Sequence, residues 1–267
     1  MPGSYDAPTG SLTGTVLAVA PHGTRDQHDA PQVPATPGDV ADAAAECEQV
    51  GAAVVDLQPR RDTAVADVVA AVRSRTDMLV RVTAHARSET LGQLVEAGPD
   101  VLGCPLDAPA EFAAELRERA LANGIAVHYE ARSLPELAAL HEPHIRETVH
   151  PETVHVVLVF DTRGMPGDVQ TFTAAVTRLP TGAYFSATGL EAASLPIMLT
   201  SLAAGGHLRV GLGDALRYAE DAEARTNAQL VARAAGLAKI AQRPALPRQQ
   251  AADVLAVGAE RGGEFEL

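Results

Sequence analysis

The feature that most narrows the possible folds is a rhythm. Eight short β-branched runs recur along the chain, and an Ala-rich stretch with helical spacing follows each. The runs are Thr15–Ala20, Ala52–Gln58, Met78–His85, Val101–Leu106, Ala126–Arg132, Val154–Asp161, Ala183–Thr188 and His207–Leu212. Helices are predicted near 37–50, 62–75, 88–97, 108–123, 134–141, 168–179, 191–204 and 225–241. Apolar strands alternating with helices belong to parallel sheets covered on both faces. Eight such units are the count of an α/β (β/α)8 TIM barrel. No Gly-x-Gly-x-x-Gly follows the first run, which disfavours a dinucleotide-binding open sheet. The prediction is one barrel domain over 14–257, with a short last helix at 247–257 and flexible tails at 1–13 and 258–267.

Local signals support these boundaries. Thr36 before Pro37 is a cap followed by a first-turn proline, Asp107 offers an acidic cap, and Asp168 is a cap before it is a catalyst. Gly51 and Gly124 stand where helices end in a left-handed residue. The chain of 267 residues carries a net charge of −13, one lysine (Lys239) and no tryptophan. An acidic surface poor in aromatics repels phosphate backbones, so nucleic acid is an unsuitable partner. Apolar stretches stop short of membrane-spanning length, and the N-terminus lacks the pattern of a signal peptide, so a cytoplasmic protein is expected. Cys47 and Cys104 are too few for a disulfide framework or thiolate zinc site, and Cys104 reads as a core thiol.

Barrel active sites lie at the C-terminal strand ends. Collecting polar residues there gives His22 and Arg25 after the first run, then Asp56, Gln58 and Arg60, then Thr83 and His85 on one face of the stretch Arg81-Val-Thr-Ala-His85. Later runs add His128 and Glu130, Asp161, Ser186 and Thr188, and finally Arg209 and Asp214. His141, His144, His150 and His155 surround the entry to the sixth run with no metal-pair spacing, and read as a solvated loop.

Several segments carry a family resemblance: Ala18-Val-Ala-Pro-His-Gly23, Pro34-Ala-Thr-Pro37, Gly51-Ala-Ala-Val-Val55, and above all Gly205-Gly-His-Leu-Arg-Val-Gly-Leu-Gly-Asp214 with Thr226-Asn-Ala-Gln-Leu-Val231. The chain resembles the β-keto acid cleavage enzymes, the group that includes 3-keto-5-aminohexanoate cleavage enzyme. The resemblance implies a barrel, a homo-oligomer, and condensation of a β-keto acid with acetyl-CoA to give acetoacetate and a new acyl-CoA. It also implies a zinc ion held by His-x-His on the second strand and a Glu after the eighth. The Arg and Asp that assist proton removal and carbon–carbon cleavage in the family match Arg209 and Asp214. The family's ligand positions read Asp56-Leu57-Gln58 and Gly213 here, and its acidic residue after the first strand is replaced by Arg25.

Three expectations follow. One is a divergent, metal-independent enzyme in which Arg25, Arg60 and Arg209 act as cationic clamps and Asp56, Gln58, His85, Glu130 and Thr188 line the substrate site. A second is a metal site rebuilt from Asp56, His85, Glu130 or His22. The third is a non-catalytic barrel that binds a keto acid or acyl-CoA.

Overall fold

In a computed structural model, which describes residues 14–28, 30–60, 63–84, 88–142 and 154–257, the eight runs close into a parallel barrel in chain order. The strands are β1 (Leu17–Val19), β2 (Val54–Leu57), β3 (Leu79–Thr83), β4 (Val101–Pro105), β5 (Ala126–Ala131), β6 (His155–Phe160), β7 (Tyr184–Gly189) and β8 (His207–Val210). Around them lie α1 (Pro37–Gln49), α2 (Val65–Arg73), α3 (Ser88–Glu96), α4 (Ala110–Ala122), α5 (Val169–Val176), α6 (Ser194–Ala203), α7 (Asn227–Ile240) and α8 (Arg248–Val254). β8 returns to pair with β1, Leu17 opposite Leu208 and Ala18 opposite Arg209.

Strand alternation divides the interior into two environments. Leu17, Val55, Val80, Leu102, Tyr129, Leu158, Ala187 and Leu208 join the apolar cluster between the strands and the helices. Burying each large aliphatic side chain contributes roughly 1.5–3 kcal/mol. The opposite parity points into the barrel. At its lower end Val16, Ala18, Val54 and Leu79 pack with Leu246, Ala251, Val254 and Leu255, so α8 plugs the barrel floor. Above that plug the inward positions of β2, β3, β5, β7 and β8 are polar: Asp56, Arg81, Thr83, His128, Glu130, Ser186, Thr188, His207 and Arg209.

Caps behave as their chemistry requires, with one exception. Thr36 accepts from Asp39 N while the Asp39 side chain bonds back to Thr36, a complete capping box. Asp168 accepts from Thr171 N at 2.8 Å. Asp107 caps nothing: α4 starts later, its N-cap is Pro109, and Pro109 has no side-chain hydrogen bond. Gly51 and Gly124 take φ of 108° and 67°. The stretch expected at 134–141 is a 3-10 helix, Glu136–His141. A hairpin, β9 (Arg217–Ala219) with β10 (Ala222–Glu223), follows β8 and has no counterpart in the sequence reading. His155 is also corrected. It is a buried, inward residue of β6, because its parity matches Val157 and Val159 across an unbroken strand. His144 and His150 lie outside the described residues.

Cys47 and Cys104 are free and buried, and burial pushes their thiols up to about 12 and about 11. Among the described residues no helix is long and apolar enough to cross a membrane.

Candidate active site

Four strands and one turn bring five buried charges together in the barrel. Asp56 and Arg81 face each other across the β2–β3 ladder, Glu130 comes from β5, Arg209 from β8, and Asp214 from the turn after it. The Arg209 guanidinium forks onto Asp214, Nη2 to Oδ1 at 2.9 Å and Nε to Oδ2 at 3.2 Å. Its Nη1 donates to Asp56 Oδ2 and to Glu130 Oε2, each at 3.2 Å. Arg81 Nη1 donates to the same Asp56 oxygen at 2.6 Å and to Thr83 Oγ1 at 2.9 Å, and its Nη2 lies 3.5 Å from Glu130 Oε2. Arg132, half exposed at the rim, closes the set with a 2.8 Å bond to Glu130 Oε1.

Three carboxylates therefore meet three guanidiniums, and the layer is neutral as a whole. Burial alone would raise the Glu130 carboxyl, but Arg209, Arg81 and Arg132 override it and hold it at about 2. Burial likewise opposes the charge on Arg209, yet Asp214, Asp56 and Glu130 keep it above its ordinary value. Such a network is stable only while complete, since removing one partner strands an unpaired charge. Its fit depends on Gly103 of β4, where any side chain would overlap the Arg81 guanidinium.

Of the residues expected at the site, Asp56, Glu130, Arg209 and Asp214 thus converge. Thr188 is buried on β7, but no hydrogen bond joins it to the charged layer among the described residues. Arg25 sits at the rim, paired with Glu191 and 3.4 Å through Nε from Gly213 O. Gln58 and Arg60 line a separate narrow cleft beside His22, and Arg60 Nη1 lies 3.4 Å from Pro34 O. His85 lies outside the described residues. Arg81 and Arg132 are the additions the structure makes. Arg81 was visible in principle: an arginine of inward parity, sharing the face of Thr83 in an apolar strand, must find buried partners.

Below the charged layer a second polar tier spans three strands. His128, His155 and His207 stack with ring centroids 4.5 Å and 6.2 Å apart. His128 Nε2 donates to Leu255 O at 3.0 Å, His155 Nε2 meets Ser186 Oγ at 2.9 Å, and His207 Nδ1 accepts from Val16 N at 3.0 Å. Burial lowers all three, His128 and His207 to about 3, so the column is neutral. A cavity of about 20 Å³ separates the tiers, bordered by Arg81, His155 and Ser186.

The turns above the barrel are bolted together. Gly213 N donates to Ala20 O at 3.0 Å, and Asn227 links Leu212 N (2.8 Å) to Pro21 O (3.1 Å). The conspicuous Thr226-Asn227 pair therefore has two structural tasks, a cap on α7 and a brace between the β1 and β8 turns.

A sequence model of the beta-keto acid cleavage enzymes matches residues 15–257. The chain belongs to that family. Solved structures with the same fold include apo ObcA (TM-score 0.69, 15% identity, covering 85% of this chain and 66% of that one). The binary complex of ObcA with oxaloacetate gives a TM-score of 0.65 at 14% identity, covering 85% and 68%. A truncated 3-deoxy-D-arabino-heptulosonate 7-phosphate synthase from Thermotoga maritima gives 0.55 at 14%, covering 93% and 90%. The chain thus spans about two thirds of ObcA's length, and at these identities the likeness is one of fold.

Within the beta-keto acid cleavage enzyme family, this member does not fit the zinc ion that the resemblance implies. Asp56 Oδ2 is taken by two guanidiniums, Gln58 is a poor zinc ligand, and Gly213 has no side chain. A Cβ at Gly213 would stand 2.5 Å from Gly23 N, so a longer residue there must push the turns apart. Among the described residues no three His, Cys, Asp or Glu side chains are grouped to hold a metal.

Proposed function

We propose that this barrel binds a small β-keto acid at its C-terminal mouth and acts on it without a metal ion, with a coenzyme A thioester such as acetyl-CoA as the second substrate. Family membership and the saturated charge of Asp56 together support this reading, because the carboxylate at that position is already neutralised by Arg81 and Arg209. Arg25 and Arg60 supply cationic groups at the mouth for the substrate carboxylate, with Gln58 and Thr188 as polar lining. Arg209 and Asp214 keep the layer beneath the substrate rigid and lend it the field that favours a developing enolate. Oxaloacetate, the ligand of ObcA in one solved complex, is the first probe to try. Self-association and a cytoplasmic location belong to the same reading.

Calorimetric titration with oxaloacetate, before and after exhaustive chelation, tests it. The expected result is unchanged affinity in protein free of bound metal. Absence of binding would sink the keto-acid assignment, and a loss of affinity above about tenfold on chelation, about 1.4 kcal/mol, would sink the metal-free part. One observation favours a second reading, a non-catalytic keto-acid binder. Asp214 is buried and held by both ends of the Arg209 fork, so it is a poor base. Turnover assays with β-keto acids and acetyl-CoA separate the two.

A further inference from the structure

The cavity between the two polar tiers is lined by buried residues throughout, and two of them carry polar atoms left over from the networks above and below. Arg81 engages Asp56 and Thr83 through Nη1 alone. Its Nε and Nη2 have no hydrogen-bond partner among the described residues, although Nη2 keeps its 3.5 Å ion pair with Glu130. His155 meets Ser186 Oγ through Nε2, and its Nδ1 is without a partner among the described residues. Both side chains are at most 3% exposed. Buried N–H groups and ring nitrogens are costly to leave unpaired, so such atoms bordering one cavity point to a ligand in it.

Size and charge select the ligand. The cavity measures about 20 Å³, and one water needs roughly 10–15 Å³ measured in the same way. A cation would stand against the Arg81 guanidinium. An anion is disfavoured by the charge count, because Asp56, Glu130 and Asp214 are buried against only two buried guanidiniums, Arg81 and Arg209. The third, Arg132, is half exposed. The histidines add no positive charge, since burial above all holds His128, His155 and His207 neutral. A further negative charge would have no buried counterpart. A small neutral molecule that both accepts and donates suits the lining.

We infer that this cavity binds one internal water molecule, which accepts from the open Nε–Nη2 edge of Arg81 and donates to His155 Nδ1, joining the charged layer to the histidine column. A water oxygen has two lone pairs, and the Arg81 edge presents two N–H groups to them. The bond to His155 must then run from the water to the ring. That choice fixes the one tautomer in the column that protein partners leave open. His128 donates through Nε2 to Leu255 O, and His207 accepts at Nδ1 from Val16 N, whereas the Ser186 hydroxyl can give or take a hydrogen. With water in place His155 carries its hydrogen on Nε2 and donates it to Ser186 Oγ. An anion demands the reverse, because it only accepts and requires the hydrogen on Nδ1. The water is thus a positioning group for Arg81, whose Nη1 holds Asp56. The site lies beneath the charged layer and is independent of the keto-acid reading.

The test is NMR on the full chain carrying ¹⁵N- and ¹³C-labelled histidine. The expected His155 ring is protonated on Nε2 and bare on Nδ1, and its Hε1 shows cross-relaxation with water of the sign that a long-lived internal molecule gives. Val157→Ile adds one methylene at the cavity wall. It should abolish that cross-peak and lower the melting temperature by about 2–8 °C, because Arg81 and His155 lose their shared partner. A His155 protonated on Nδ1 overturns the proposal, as does a melting temperature that rises with chloride but not with acetate at equal ionic strength; either result puts an anion in the cavity. A Val157→Ile protein that melts higher than wild type overturns it as well, since filling stabilises only a dry cavity. A cross-peak that survives the substitution arises from water elsewhere and also overturns it. Should Val157→Ile fail to fold, the wild-type spectra decide, and a missing water cross-peak at His155 overturns the proposal.

Discussion

Two polar tiers share the interior of this barrel and solve burial in opposite ways. The upper one keeps its charges and cancels them: Asp56, Glu130 and Asp214 against Arg81, Arg209 and Arg132. The lower one gives its charge up, with His128, His155 and His207 held neutral by burial. The difference follows from chemistry. A guanidinium cannot lose its proton in a protein, so it must be paired, whereas an imidazole has only to stay deprotonated. The upper tier should thus be sensitive to loss of a partner, and the lower one to acid.

The largest effect expected is from Arg209→Met. It takes the guanidinium fork from buried Asp214 and one partner each from Asp56 and Glu130, and should cost about 3–5 kcal/mol in urea unfolding; a cost below about 1 kcal/mol would refute the picture of a mutually dependent layer. Acid comes next. Folded His128 and His207 titrate near 3, well below the 6.5 of the unfolded chain. Each therefore contributes stability that is complete above about pH 6.5 and is lost as the pH falls. At pH 5 each has lost about 2 kcal/mol, roughly 4 for the pair. Glu130, near 2 when folded against 4.5, begins to add its loss only below 4.5. Unfolding free energies measured from pH 7 to 5 should therefore fall steeply, and a flat curve would show that the column does not govern acid stability.

A third, smaller effect tests whether the upper tier can revert. Asp56→His, Gln58→His and Gly213→Glu together introduce the ligand types that the resemblance implies, yet Gly213 is packed on Gly23. Elemental analysis should find no stoichiometric zinc, and Gly213→Glu alone should cost about 1–3 kcal/mol. The mildest change is Arg132→Ala at the half-exposed rim, where solvent screens the pair with Glu130. Its expected cost is no more than about 1 kcal/mol, and a much larger one would mean that overall neutrality of the tier matters more than its buried pairs.

Much of the barrel was legible because strand periodicity, capping residues and turn glycines act over a few residues. Thr36 with Pro37, Asp168, Gly51 and Gly124 each perform a local task that short-range chemistry dictates. Asp107 looked like a cap, but α4 begins at Ala110 with Pro109 as its N-cap. The other reading that failed involves partners distant in the chain. His155 looked solvated beside its neighbouring histidines, yet it lies inside the barrel because β5 and β8 bring His128 and His207 beside it. Asp56, Glu130, Arg209 and Asp214 were recognisable as polar residues at strand ends. That they would find one another, with Arg81 completing the set, depended on barrel closure.

The sequence by itself determined the family and the eightfold strand–helix order, and it sets Asp56, Gln58 and Gly213 where the resemblance implies metal ligands. Those are matters of residue identity and short spacing. Only the tertiary structure decided what surrounds those positions. The Arg81 guanidinium fits because Gly103, on the neighbouring strand, leaves it space. Arg209 reaches Asp56 from the other end of the chain because β8 closes on β1. Electrostatic pairing acts over a few ångströms whatever the distance in sequence, so closure of the barrel, and no motif, chose the partners.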